Sequence, residues 1–190
     1  MLTAVTIAAA VLFGASEAFA GNGNTGWTAT LYGGPWTQRV VSEIVGDGNY
    51  DVHGAMVGLA VDKRFFRLGW GFSVGGEGEV TQNFGRAKFT TFGLGLGFRF
   101  DAFPWALPTS IAVYSGPSYA IDPPIEQYSP QRHQHPFLNY VSIELAVAIP
   151  RYRRHWDAVV RIFHRSGVWG VYSINADEGT TIGVGLRAKF

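Results

Sequence analysis

The chain has 190 residues, of which 47% are hydrophobic and only 15% are charged, and its formal net charge is +1. A charge so close to zero gives no strong field to attract nucleic acid, so no nucleic-acid partner is predicted. The sequence contains no cysteine, which excludes a disulfide framework, thiolate metal ligands and a cysteine nucleophile.

The first twenty residues have the features of an export signal. An apolar run from Val5 to Phe13 is followed by Ala18-Phe19-Ala20, which has the small residues of a cleavage site. The run is shorter than the ~20 residues that a membrane-spanning helix needs. The sequence therefore predicts a signal peptide over residues 1–20 and one β-barrel domain over residues 21–190.

The rest of the chain alternates between apolar and small or polar residues with the two-residue period of β-strands. Around Leu94, for example, bulky apolar side chains occupy every second position, and glycines and Arg99 occupy the positions between them. Strands are predicted over residues 25–33, 50–62, 65–80, 88–101, 109–120, 137–150, 156–167 and 179–190. Their connections alternate between short turns, such as Lys63-Arg64, and longer loops, as in small membrane barrels.

This pattern predicts an all-β fold, an eight-stranded antiparallel up-and-down transmembrane β-barrel of a bacterial outer membrane. Bulky side chains would face lipid, while glycines and charges would fill a narrow interior. The C-terminal Phe190 resembles the signal that the barrel-assembly machinery of the outer membrane recognises. Interior charges are predicted to form salt bridges rather than to line a channel: Glu77, Glu79, Arg99, Glu144, Arg161 and Arg187.

A histidine and a serine end the predicted seventh strand on its lipid-facing side, where lipid offers them no hydrogen-bond partner. His164 and Ser166 are two residues apart and therefore share a face. In a hairpin centred near Tyr172, paired residue numbers add up to about 344, which sets Glu178 opposite Ser166. This arrangement suggests Ser166 as nucleophile, His164 as its base and Glu178 as the orienting acid. The simpler alternative is that these rim residues only meet lipid headgroups or water.

Backbone N–H groups of Gly167 or Gly170 are the first candidates to stabilise an oxyanion beside this serine. A second group of polar residues lies in the loop 121–136, where His133 and His135 accompany two acids. No strand or helix fixes these residues, so a solvated loop is favoured over a metal site, and no metal is predicted.

The segment His164-Arg165-Ser166-Gly167, an acidic residue twelve positions after the serine and the terminal phenylalanine resemble the PagL family of lipid A 3-O-deacylases. The resemblance implies an outer-membrane hydrolase that needs no cofactor, takes lipid A or lipopolysaccharide as substrate, and opens its site toward the outer leaflet. It departs from the family after the serine, where Gly167 replaces the usual asparagine; Asn175 is an alternative oxyanion donor.

Two alternative functions and the oligomeric state stay open at this point. Acyl transfer would use the same acyl-enzyme as hydrolysis. A non-enzymatic barrel with a structural, adhesive or solute-binding role would need only the long loops and the charged interior. The oligomeric state is also open, and a homodimer is one of the alternatives.

Overall fold

Eight antiparallel strands form a closed barrel in the computed structural model, which describes residues 26–38, 44, 46, 51–123, 135–167 and 177–190. Each strand pairs with its neighbour in the chain, and the first pairs with the last. The strands are β1 (Trp27–Thr37), β2 (Gly54–Gly69), β3 (Phe72–Gly85), β4 (Thr90–Phe100), β5 (Thr109–Ile121), β6 (Phe137–Ala148), β7 (Trp156–Ser166) and β8 (Asp177–Lys189). The predicted fold is therefore confirmed, whereas the predicted export signal lies outside the described residues. No helix in the described ranges is long and apolar enough to cross a membrane.

The two ends of the barrel differ in their connections. At one end, called here the turn end, short segments join β2 to β3, β4 to β5 and β6 to β7, the last through a single 3-10 turn at Pro150–Tyr152. The opposite end, called the loop end, carries the connections after β1, β3, β5 and β7. The connections after β1, β5 and β7 are the long ones, as predicted from the sequence, whereas the connection after β3, residues 86–89, is shorter than the segment that joins β4 to β5.

The outer surface is apolar and the interior is polar. Large hydrophobic side chains alternate along most of the strands with buried positions, and Leu94 in the middle of β4 remains 70% exposed. The charged side chains of Glu77, Glu144 and Arg161 are buried inside. A soluble barrel would have the opposite arrangement, so this inversion is that of a transmembrane barrel.

The turn between β2 and β3 differs from the prediction. β2 continues through Lys63 and Arg64 to Gly69, and the turn is Trp70-Gly71. Both turn residues have positive φ, 50° and 81°, as the favoured two-residue hairpin turns require. Irregular pairing on either side of Phe66 disrupts the alternation in β2, which is why the sequence pattern misplaced the turn.

Two layers of side chains fill the interior. Nearer the turn end, a charged layer joins five carboxylates to four cations through ion pairs: Asp62, Glu77, Glu79, Glu144 and Asp157 with Arg99, Arg161, Arg187 and Lys189. Nearer the loop end, five aromatic residues pack together with Met56: Tyr32, Trp36, Phe89, Tyr140 and Phe163. The predicted salt-bridge network is thus present, and side chains fill the interior of the narrow barrel.

Candidate active site on the outer wall

β7 carries the two candidate residues on its outward face at the loop end. Asp157, Arg161 and Arg165 point inward and are buried, while His164 and Ser166 lie on the alternate face with Ala158 and Val160. Both side chains are half-buried. Alternation along one strand therefore presents a histidine and a serine to the lipid side, as predicted.

The β7–β8 hairpin has the predicted register over almost its whole length. Paired numbers add up to 344 from Trp156–Ala188 to Arg165–Gly179. The last pair then shifts, because Ser166 aligns with Asp177 and Glu178 becomes the additional residue of a β-bulge. The predicted alignment of Glu178 with Ser166 is wrong by this one residue.

Gly179 explains why the bulge forms there. Its φ is +119°, a conformation that side-chain-bearing residues rarely adopt. A Cβ atom at this position would also overlap the carbonyl oxygen of Thr37 in β1. Only glycine fits, and the resulting bend sets the carbonyl group of Gly179 beside the imidazole of His164.

The hydrogen bonds of His164 define which ring nitrogen carries the proton. Nδ1 lies 3.1 Å from the carbonyl oxygen of Gly179 and 3.1 Å from Oγ1 of Thr180. A carbonyl oxygen can only accept, so Nδ1 donates to it and the neutral ring keeps its lone pair on Nε2. This is the tautomer in which a histidine can accept a proton from a serine.

Ser166 lies beside a polar residue that the sequence analysis did not single out. In the β6–β7 pairing it aligns with Asn139, which shares the outward face of β6 with Val141 and Ile143. Asn139 Nδ2 donates to Ser115 Oγ at 3.0 Å. The sequence did contain a signal for Asn139, because a polar residue at a strand position that faces lipid is unusual.

The Ser166 hydroxyl and His164 share no hydrogen bond in the described part of the chain. Catalytic hydrogen bonds are often long in a ligand-free protein and tighten only when substrate binds. Between the two residues, inward-facing Arg165 donates from Nε to Ser118 Oγ at 2.9 Å and from Nη2 to the carbonyl oxygen of Pro136 at 3.0 Å. These bonds fix the end of β7 to β5 and to the start of β6.

The structure describes the remaining predicted site residues only in part. Gly167 follows β7 directly and is buried, whereas Gly170 and Asn175 lie outside the described residues. The backbone of Glu178 belongs to β8, but its side chain is not among the described ones. His133 is also outside, and no three His, Asp or Glu side chains converge on a metal position within the described ranges.

Comparisons with known proteins identify the fold. No protein family model matches the chain, and no curated protein matches it. Among solved structures, the outer membrane enzyme PagL is similar, with a TM-score of 0.58 and 12% identity over 86% of this chain and 98% of that one. OprG from Pseudomonas aeruginosa, an outer membrane protein, matches with a TM-score of 0.38 and 7% identity over 87% of this chain and 92% of its own. The chain thus has the eight-stranded barrel fold found in PagL.

Proposed function

We propose that this protein is a PagL-like hydrolase of the bacterial outer membrane that removes an ester-linked acyl chain from lipid A. The observation that carries the proposal is the pair His164 and Ser166 on the lipid-facing side of β7. Polar side chains facing lipid are costly, and their retention marks a functional position. The orientation of His164 by Gly179 and Thr180 supports its role as a base.

The reaction follows from the roles of these groups. Ser166 Oγ attacks the ester carbonyl carbon, and His164 Nε2 accepts the hydroxyl proton. Glu178 stabilises the imidazolium, and the N–H groups of Gly167 or Gly170, or the side chain of Asn175, stabilise the oxyanion. The sugar oxygen leaves with the proton from His164. Water then attacks the acyl-enzyme, giving the free fatty acid and restoring Ser166 without a cofactor.

The proposed location matches this substrate. Residues 1–20 would direct export, residues 21–190 would form the barrel, and Phe190 would be read by the assembly machinery. With the turn end in the periplasm, the loop end lies at the outer leaflet, where lipopolysaccharide resides. The apolar outer wall would let the lipid reach Ser166 by diffusing laterally within that leaflet.

An apolar furrow in the outer wall supports an acyl-chain substrate. Its volume is about 660 Å³, and it begins at Phe137 in β6, the strand next to that of Ser166, and at Pro117 in β5. It continues over Phe92 and Leu94 toward β2. A chain extending from an ester at Ser166 across β6 would pass onto these apolar side chains.

The test is hydrolysis by the purified protein in detergent or vesicles. Wild-type protein should release a 3-hydroxy fatty acid from lipopolysaccharide, measured by mass spectrometry, and the Ser166→Ala variant should release none above background. Thr90→Val is the matched control, because Thr90 is a hydroxyl residue at the loop end of β4 whose Oγ1 donates to Gln82 instead. Equal release by wild type and Ser166→Ala would contradict the mechanism. Unchanged lipid A in cells that make the protein would favour a non-enzymatic barrel.

A further inference from the structure

A row of polar side chains crosses the outer wall next to Ser166. We propose that Ser115, held in place by Asn139, positions the substrate by hydrogen bonding to a hydroxyl or amide group that the lipid carries near its ester. The inference rests on the proposed function and deepens it, because it assigns the enzyme a preference for esters that carry a second polar group.

The register of three adjacent strands builds the row. Asn139 in β6 aligns directly with Ser166 in β7. On its other side it aligns with Pro117 in β5, and Ser115 lies diagonally from it on the same outward face. Because strands are ~4.8 Å apart, the row extends roughly 10 Å across the wall from Ser166.

Asn139 is buried although it lies on the lipid-facing side. Only 7% of it is exposed, whereas the apolar residues on the same face of β6 include exposed Phe137 and Ile143. Both amide hydrogens have acceptors, Ser115 Oγ at 3.0 Å and the carbonyl oxygen of Tyr140 at 2.9 Å. These two hydrogen bonds hold the amide of Asn139 in one orientation, and the first of them also fixes the position of Ser115 Oγ.

Ser115 is the member of the row that can reach a ligand. Its side chain is exposed on the outer wall, and its oxygen accepts the hydrogen bond from Asn139. Its own proton has only a long contact, 3.5 Å, to Asn139 Oδ1. Because a hydrogen bond at 3.5 Å is weak, the Ser115 hydroxyl would donate instead to a closer acceptor on a bound lipid.

The chemistry of the row selects among lipids. An acyl chain with a hydroxyl or amide a few bonds from its ester could place that group over β5 and β6 while the ester lies at Ser166. A plain alkyl chain would cover the same polar atoms without satisfying them, which is unfavourable. The row would thus favour hydroxylated or amide-bearing esters over esters of simple fatty acids.

The experiment compares two substrates that differ by one group. Purified wild type, Asn139→Leu, Ser115→Ala and Ser115→Thr are each given a lipid with a 3-hydroxyacyl ester and the same lipid lacking the hydroxyl. Asn139→Leu and Ser115→Ala should raise KM for the hydroxylated lipid by roughly three- to tenfold, the loss of one neutral hydrogen bond, with kcat little changed. Ser115→Thr keeps a hydroxyl group and should therefore keep the wild-type KM. Thr90→Val should not alter KM either.

The outcomes separate this inference from the proposed function. If Ser166→Ala retains hydrolysis, the proposed function fails. If Ser166→Ala is inactive while Asn139→Leu and Ser115→Ala keep the wild-type preference between the two lipids, the inference alone is overturned. Folding is checked by the gel shift between heated and unheated samples. Should Asn139→Leu fail to fold, the Ser115→Ala and Ser115→Thr pair decides, because Ser115 is exposed and the changes are small.

Discussion

Replacing Arg161 with methionine is expected to destabilise the folded barrel by about 3–5 kcal/mol, the usual cost of removing one partner from a buried ion pair. Arg161 is fully buried and donates from Nη2 to Glu77 at 2.6 Å and to Glu79 at 2.9 Å. Nη1 donates to Glu144 at 3.1 Å. The guanidinium therefore forms ion pairs with three carboxylates at once.

The loss is concentrated on two of these carboxylates. Glu144 keeps Arg99 at 3.3 Å and Arg187 at 2.8 Å, but Arg161 is the sole cation within ion-pair distance of Glu77 and Glu79 in the described part of the chain. Removing it leaves two neighbouring carboxylates without a counter-charge. At ~4 kcal/mol the folding equilibrium would change by roughly a thousandfold.

Urea-induced unfolding in phospholipid vesicles, followed by tryptophan fluorescence, measures this change. Adding Glu79→Gln to Arg161→Met removes one of the two carboxylates that lack a counter-charge. The double variant should therefore recover at least ~1 kcal/mol of the lost free energy of unfolding. Arg67→Met, an exposed position, should change stability by less than ~0.5 kcal/mol. If Arg161→Met stays within ~1 kcal/mol of wild type, the ion pairs of Arg161 do not stabilise the barrel.

Two further substitutions test the lipid-facing wall and the bulge. Leu94→Arg, at mid-strand on the outward face, should cost ~2–4 kcal/mol in a bilayer, whereas Phe137→Arg at the loop end should cost ~0–1 kcal/mol, measured by the same unfolding assay. A reversed order would mean that the bilayer midplane lies elsewhere. Gly179→Ala should lower kcat for lipid A at least tenfold by displacing the carbonyl bonded to His164. Gly69→Ala, also at positive φ but with open space around it, should leave kcat unchanged.

Period-two alternation was sufficient to predict the barrel because the membrane imposes it on every strand. Bulky side chains had to face lipid and the narrow interior had to take glycine and paired charges, so the number of strands followed from the alternation, and the signal peptide, the strand lengths and Phe190 favoured the assignment of the bulky face to lipid. The β2–β3 turn could not be located in this way. Trp70 is a poor turn residue by type, and its place in the turn depends on the irregular pairing around Phe66, which leaves no local signature.

The candidate site was predictable only as far as strand parity reaches. The two-residue alternation of β7 predicted that His164 and Ser166 face outward. The constant sum of paired residue numbers in the β7–β8 hairpin predicted the register as far as Gly179. The bulge at Glu178 arises from the contact of Gly179 with β1, a long-range feature that no single-strand pattern contains. Asn139 was missed for a different reason: only the pairing of β6 with β7 brings it beside Ser166, and the two residues are far apart in the sequence.

The alternation of β7 has a consequence for how such a chain can change over evolutionary time. Arg161 and Arg165 belong to the interior, and the residues between and beyond them belong to the wall, so one strand encodes two independent surfaces. Substitutions can alter the wall position by position while the interior stays intact. A one-residue insertion or deletion would exchange every inward side chain for an outward one, turning arginines toward lipid and Ser166 into the barrel. Chemistry on this wall can therefore diversify by replacement, but length changes must be confined to the loops.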